Sequence, residues 1–332
     1  MKKSILLASA VLMSALALTG CSKKNNTKSA AAGKKLITVG YAQVGAESDW
    51  RLANTASFKS TFTEENGYKL IFDDAQQKTE NQIKAMRSFI QQDVDYIVVA
   101  PNVETGWETV LTECKASGIP VILSDRLMKV SDDSLYLCWV GGNFLKEGRD
   151  GVKWLDAYLT KTGRANDKIN IVDLQGTIGA SAQIGRTQGI EEGVKAHSNW
   201  TMVAQQSGDF TQDGGQKVME AILKSVGADN IDVVFAENDN MAWGAIDAIK
   251  AAGKVPGKDI IIICFDAVHE TFNRMIAGEI NCAVECNPLH GPRVAEIIQT
   301  LEKGGTVDKI MYVDEAVFDQ ENAAEMLPTR QY

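Results

Sequence analysis

From Leu36 to Cys286 the chain alternates between short apolar runs and stretches of helical period, and that rhythm restricts the fold more than any single residue does. The runs LITVGYA (36–42), YKLIF (68–72), YIVVAP (96–101), VILSD (121–125) and LYLCWV (135–140) come first. INIVDLQG (169–176), TMVAQQSGD (201–209), DVVFAEN (232–238), DIIIICFDA (259–267) and INCAVEC (280–286) follow after a gap. Unbroken apolar runs of this length suit strands buried on both faces, and helices between them make βαβ units with a parallel sheet. Thr79 to Gln91 places Ile83, Met86 and Ile90 on one helical face, with Thr79 and Gln82 at capping-box spacing. Ala180 to Ala196 and Met241 to Ala251 read as further helices. Two sets of about five strands are more than one compact sheet usually carries. The pattern predicts an α/β chain of two doubly wound, Rossmann-like domains with a switch near Val140-Gly141-Gly142.

The segment before this rhythm is of another kind. Residues 1–21, MKKSILLASAVLMSALALTGC, have the charge, apolar stretch and small-residue end of a secretory leader, and are too short and wrongly flanked for a spanning helix. The small residues before Cys21 resemble the bacterial lipoprotein cleavage box, which implies a lipid anchor on that cysteine. Residues 22–35, SKKNNTKSAAAGKK, are small, polar and basic and read as a flexible tether. Loss of Lys2 and Lys3 with the leader takes the formal charge from -9 to -11, which argues against a nucleic-acid partner. Beyond Cys21 stand Cys114, Cys138, Cys264, Cys282 and Cys286, an odd set in helical and apolar stretches. They read as small buried hydrophobes and not as a disulfide framework, a redox pair or a metal site.

Enzyme motifs are incomplete. Gly176-Thr-Ile-Gly179 follows a strand and opens a helix, but it is neither the dinucleotide fingerprint nor a phosphate loop. His269-Glu270 lacks the second histidine of a zinc-protease helix, since residue 273 is Asn, and Ser181 sits in a sequence without the last glycine of a nucleophile elbow. No cofactor or metal is implied. Paired carboxylates remain: Asp125, Asp266 and Glu285 at run ends could act as in a glycosidase.

The chemistry gathers where the apolar runs end. Gln43 to Arg51, Asp125-Arg126, Arg186, Asn238-Asp239, Asp266 and Glu285 fall at or beyond strand ends, and in open parallel sheets ligands sit at the carboxyl ends of strands. Carboxylates, guanidiniums, an amide and a tryptophan suit a polyol. Gln43-Val-Gly-Ala-Glu-Ser-Asp-Trp-Arg51, Ser124-Asp-Arg126, Leu174 to Ser181, Gln206 to Thr211, Asn238 to Met241 and Cys264-Phe-Asp266, in this order, resemble the ribose-type periplasmic sugar-binding proteins of ABC importers. Ala42-Gln-Val-Gly45, Glu47-Ser48, Trp50-Arg51, Ala75 to Lys78 and Glu80 to Lys84 are most similar to the galactofuranose-binding members.

That resemblance implies two lobes joined by three crossings: residues 36–139 with 286–312, and 140–285 with 313–332. A monosaccharide would be captured between them and delivered to an ABC permease by a monomeric lipoprotein outside the cytoplasm. It implies sugar contacts at Gln43, Glu47, Ser48, Trp50, Arg51, Asp125 and Arg126 on the first lobe, and at Arg186, Phe210, Asn238 and Asp266 on the second, with Glu285 at the hinge. By residue type alone, Trp50 reads equally as a core residue of the first helix, and Asn238 equally as a helix cap. Arg51 and Glu285 stand where ribose binders carry an aromatic ring and a glutamine, so a sugar other than ribose is expected. A chemosensory receptor and a carboxylate-based sugar hydrolase are the other two readings.

Overall fold

The computed structural model describes residues 35–332, so the leader, Cys21 and all of the tether but Lys35 lie outside the described residues. In chain order the first region runs β1 (Ile37–Gln43), α1 (Asp49–Thr61), β2 (Tyr68–Asp74), α2 (Thr79–Gln91), β3 (Tyr96–Val99), α3 (Glu108–Ala116), β4 (Val121–Ser124) and β5 (Cys138–Gly141). The second runs α4 (Phe144–Lys161), β6 (Ile169–Gln175), α5 (Ser181–Ala196), β7 (Trp200–Ser207), α6 (Gln212–Val226), β8 (Val233–Ala236), α7 (Asp239–Ala251), β9 (Ile261–Asp266), α8 (His269–Ile276) and β10 (Cys282–Glu285). The chain closes with α9 (His290–Glu302), β11 (Ile310–Tyr312), β12 (Val317–Asp319) and α10 (Ala323–Met326).

Each of the ten apolar runs forms one strand, and the strands make two sheets with the same internal order, β2-β1-β3-β4-β5-β11 and β7-β6-β8-β9-β10-β12. All pairings are parallel except β10 with the edge strand β12. The sixth strand of each sheet, β11 or β12, is only three residues long and carries no apolar run, so the hydrophobic pattern did not announce it. In both sheets the order reverses beside the first strand, which leaves a crevice beyond the carboxyl ends of β1 and β3 in one and of β6 and β8 in the other.

Two expectations are corrected here. A domain edge after residue 139 cuts β5, whose residues through Gly141 pair in the first sheet, so the first crossing is Gly142-Asn143. The other crossings follow β10 and β11. Thr79 does not form a capping box with Gln82, because the residue preceding the helix is Lys78 and it makes no side-chain cap. Instead the buried Gln82 amide donates to the Ala42 and Ala100 carbonyls and accepts from the Asn102 N–H. Satisfying orphan backbone groups at two strand ends outweighs a cap at the solvent edge. The five cysteines of the described residues are free and buried, as their apolar surroundings predict.

Candidate functional site

A small cavity lies where the carboxyl ends of the two sheets face each other, bounded on one side by Glu47, Ser48, Trp50, Arg51, Asp125 and Arg126. Ala182, Arg186, Phe210, Asn238 and Asp266 bound the other, and Cys286 of a crossing forms part of the wall. The backbone is bent to this purpose: Asp125, Phe210 and Asp266 have φ of 65°, 60° and 102°. L-residues adopt such values at a cost of about 1–3 kcal/mol, and they concentrate where a side chain must be aimed against local preference.

On the first sheet's side Arg51 is the centre of a saturated ion network. Ser48 caps α1, its hydroxyl accepting from the Arg51 N–H at 3.2 Å, and this fixes where the arginine leaves the helix. The guanidinium then donates to Glu47 Oε1 at 3.1 Å, to Gln43 Oε1 at 3.2 Å and to Asp125 Oδ2 at 2.6 Å. Burial alone would raise the Asp125 carboxyl, but Arg51 and Arg126 outweigh it and hold the group below the usual carboxylate range. Arg126 is less well supplied. It donates to the Asn102 carbonyl at 3.0 Å, stands 3.6 Å from Glu47 and lies over the Phe210 ring. Burial and the neighbouring Arg51 push its pKa down to about 10, so it remains a cation at neutral pH. The second oxygen of Glu47 has no hydrogen-bond partner among the described residues.

On the second sheet's side Arg186 plays the corresponding part. It donates to Glu147 Oε2 at 2.7 Å, to the Glu237 carbonyl and to Asp266 Oδ1 at 3.3 Å, with Phe265 beneath it. Burial raises the Asp266 carboxyl well above its ordinary range even though Arg186 pulls the other way. Asn238 caps α7, accepting from the Met241 N–H, and its amide holds the Phe210 carbonyl at 2.9 Å. One amide hydrogen is left over, so the cap and the cavity-facing roles coexist. Gly176 of the motif after β6 has a packing reason: a Cβ there would overlap the Phe210 ring.

Ten of the twelve residues singled out from the sequence line the cavity, and Gln43 and Glu285 do not. Gln43 is wholly buried behind Arg51, its amide donating to Asn54 and Thr55. Glu285 accepts from the Tyr332 hydroxyl at 2.7 Å and from the Ala316 N–H, and it pairs with Arg330 at 2.8 Å. The carboxylate is thus consumed by the last residues of the chain, which no local pattern foreshadowed. Trp50 combines both of its readings, since its ring walls the cavity while its indole N–H donates to the Cys286 carbonyl at 2.6 Å. Sequence reasoning missed Ala182, Cys286 and the supporting Glu147 and Glu237; Glu147 lies on an amphipathic helix, which gives no sign that it will be buried, whereas Glu237 stands at the end of an apolar run, a signal that could have found it.

Contacts also join the two sides around the cavity. Asn240 and Asp49 exchange hydrogen bonds of 3.1 and 2.8 Å, the Glu104 N–H donates to the Gly179 carbonyl, and the Leu127 N–H donates to Ser181 Oγ. Ser181 therefore fastens one side to the other. Two like-ordered α/β sheets facing each other across a polar cavity are the architecture of a receptor that closes over a small solute, and the model of the periplasmic binding protein domain matches residues 39–314. The chain belongs to the periplasmic binding proteins. Among relatives of this family, the galactofuranose-binding protein of Escherichia coli (strain K12) is 43% identical over 88% of this chain and 90% of its own. A Mycobacterium smegmatis protein crystallised with β-D-fucofuranose superposes with a TM-score of 0.85 at 47% identity, covering 89% of this chain and 95% of that one. The binding component of the arabinose ABC transporter from Shewanella sp. ANA-3, bound to α- and β-L-arabinofuranose, gives 0.83 at 43% identity with the same coverage.

Proposed function

We propose that this periplasmic binding protein captures a monosaccharide in its furanose form and presents the closed complex to an ABC permease. The observation that carries the reading is the composition of the cavity wall: three guanidiniums interleaved with carboxylates, with the aromatic rings of Trp50 and Phe210 flanking the space. A sugar ring offers C–H faces to aromatic rings and hydroxyls that both donate and accept. Glu47 Oε2, the free Asn238 amide hydrogen and the incompletely used Arg126 are the groups with capacity to spare for them. A hydroxyl missing from the ligand would leave such groups buried and unpaired, at about 1–3 kcal/mol each, which is the source of specificity. Gln43 and Glu285 act from behind, Gln43 on Arg51 and Glu285 on the hinge.

Similarity to relatives that hold galactofuranose, fucofuranose and arabinofuranose supports the furanose assignment. The leader ending at Cys21 supports an extracytoplasmic protein anchored by lipid, and the receptor reading has it act as a monomer without turnover of its ligand. Because a sugar touching both sides binds the closed form better, it draws the population toward closure, which is the signal for the permease. Calorimetry with D-galactose, L-arabinose, D-fucose, D-fructose and D-ribose tests the sugar, and the ¹³C spectrum of bound 1-¹³C-galactose tests the ring. An anomeric carbon at the furanose position supports the proposal; a pyranose signal, or no binding by any of the five, refutes it. Product release from an oligosaccharide would restore the hydrolase reading.

A further inference from the structure

All three crossings between the sheets meet at one buried cluster behind Arg186. Gly142 and Asn143 belong to the first, Cys286 to the second and Glu315 to the third, while Glu147 extends from the first turn of α4. Carboxylate oxygens of Glu147 and Glu315 and the Cys286 sulfur lie within 4.8 Å of one another. A Cβ at Gly142 would overlap the Oε1 atoms of both glutamates, so those two oxygens converge on the same space. Neither has a hydrogen-bond partner among the described residues, although Glu147 is almost fully buried. Their other oxygens are engaged, Glu147 with Arg186 and Glu315 with the Asn143 N–H. Two buried carboxyl oxygens that converge without a donor repel each other when both groups are ionised, and this favours a proton on one of them.

We propose that Glu147 and Glu315 share one proton in the closed hinge, and that closure over the ligand is linked to uptake of that proton.

The charges around the pair favour this occupancy. Among the described residues Arg186 is the one cation in contact with it, while Asp266 and Asp125 add negative charge and Lys146 faces it from the exposed side of α4. Burial, then the neighbouring Glu147, push Glu315 up to about 9, and burial raises Glu147 as well. Burial likewise keeps the Cys286 thiol protonated, a poor ligand for a cation. Asp125 lies on the opposite side of the cavity from Glu147, so opening withdraws its charge and admits water, and both changes return the pair toward ordinary carboxylate behaviour. A group whose pKa is higher in the closed form favours closure fully below its open-form value, and that favour is lost as pH rises toward the closed-form value. Ligand affinity therefore falls as pH rises from the ordinary carboxylate range toward about 9.

The proposal rests on the reading of a receptor that closes over a sugar, and its test separates the two. Titration of the full mature chain with D-galactose, in buffers of different ionisation enthalpy, reads the protons taken up on binding. Uptake approaching one proton is expected, with a Kd weakened on the order of a hundredfold from pH 6 to pH 8. In Glu315→Gln, an isostere of the protonated acid, binding at pH 6 persists and the pH slope flattens. No proton uptake with a flat Kd, an unchanged slope in Glu315→Gln, or loss of binding on dialysis against EDTA overturns the proposal. If D-galactose does not bind at any pH, that sugar is ruled out, and the same titration with whichever of L-arabinose, D-fucose, D-fructose or D-ribose binds decides the pair. Uptake near one proton with that sugar supports the shared proton, and a flat Kd without uptake refutes it.

Discussion

The two halves of the cavity use the same device, a buried arginine between carboxylates, with opposite electrostatic outcomes. Arg51 meets Glu47 and Asp125 with a second guanidinium, Arg126, alongside, so Asp125 is held below its usual range and stays ionised. Arg186 meets Glu147 and Asp266 with no second guanidinium bonded to either, and burial raises both acids. The first half keeps Asp125 ionised and Arg126 charged at neutral pH. The second holds more carboxylates than cations and answers to protons. What differs is the ratio of cations to anions within hydrogen-bond reach, since the burial is alike.

That contrast can be broken most severely at Asp125. Asp125→Ala leaves Arg51 and Arg126 facing each other in a buried site, and both ligand binding and about 3–5 kcal/mol of stability are expected to go, as read by urea denaturation and calorimetry. Trp50→Ala comes next: it removes a buried ring and its bond to the Cys286 carbonyl, with an expected loss of about 3 kcal/mol of stability together with weaker binding. An unchanged Kd would place the ring in the core alone. Arg126→Ala sharpens the comparison, because Arg51 and Arg186 oppose its charge while its carboxylate neighbours Glu47 and Asp125 stand no closer than 3.6 and 3.9 Å. Stability is expected to hold within about 1 kcal/mol while affinity drops on the order of 100-fold. The smallest effect is expected at the rim, where Asn240→Ala deletes the reciprocal bonds to Asp49. Kd should rise about fivefold without change in ligand-free Tm, about 1 kcal/mol taken from closure only.

Much of the fold was legible because a buried parallel strand writes itself as an unbroken apolar run, and all ten runs became strands. β11 and β12 escaped because a three-residue edge strand is defined by its neighbour's hydrogen bonds and not by its own composition. At the site, residues directly beyond a strand end could be read, since strand ends in such sheets point at one place. Thr79 and Gln82 show the limit of local rules: the capping spacing was present, but Gln82 was claimed by backbone groups from two distant strands. Glu285 shows it again. The carboxylate sits at a strand end like Asp266, yet Arg330 and Tyr332 reach it from the far end of the chain and leave nothing for the cavity.

The sequence by itself determined the α/β class, the doubling of the sheet and the stock of polar groups at the crevices, because hydrophobic period and strand-end placement are properties of neighbours along the chain. Only the tertiary structure decided which of those groups face the cavity, which are spent on supporting one another, and that Glu147 and Glu315 meet at the hinge. Pairing of buried charges depends on distance in space, and residues 147 and 315 carry no mark in the sequence of standing within 4.8 Å of each other.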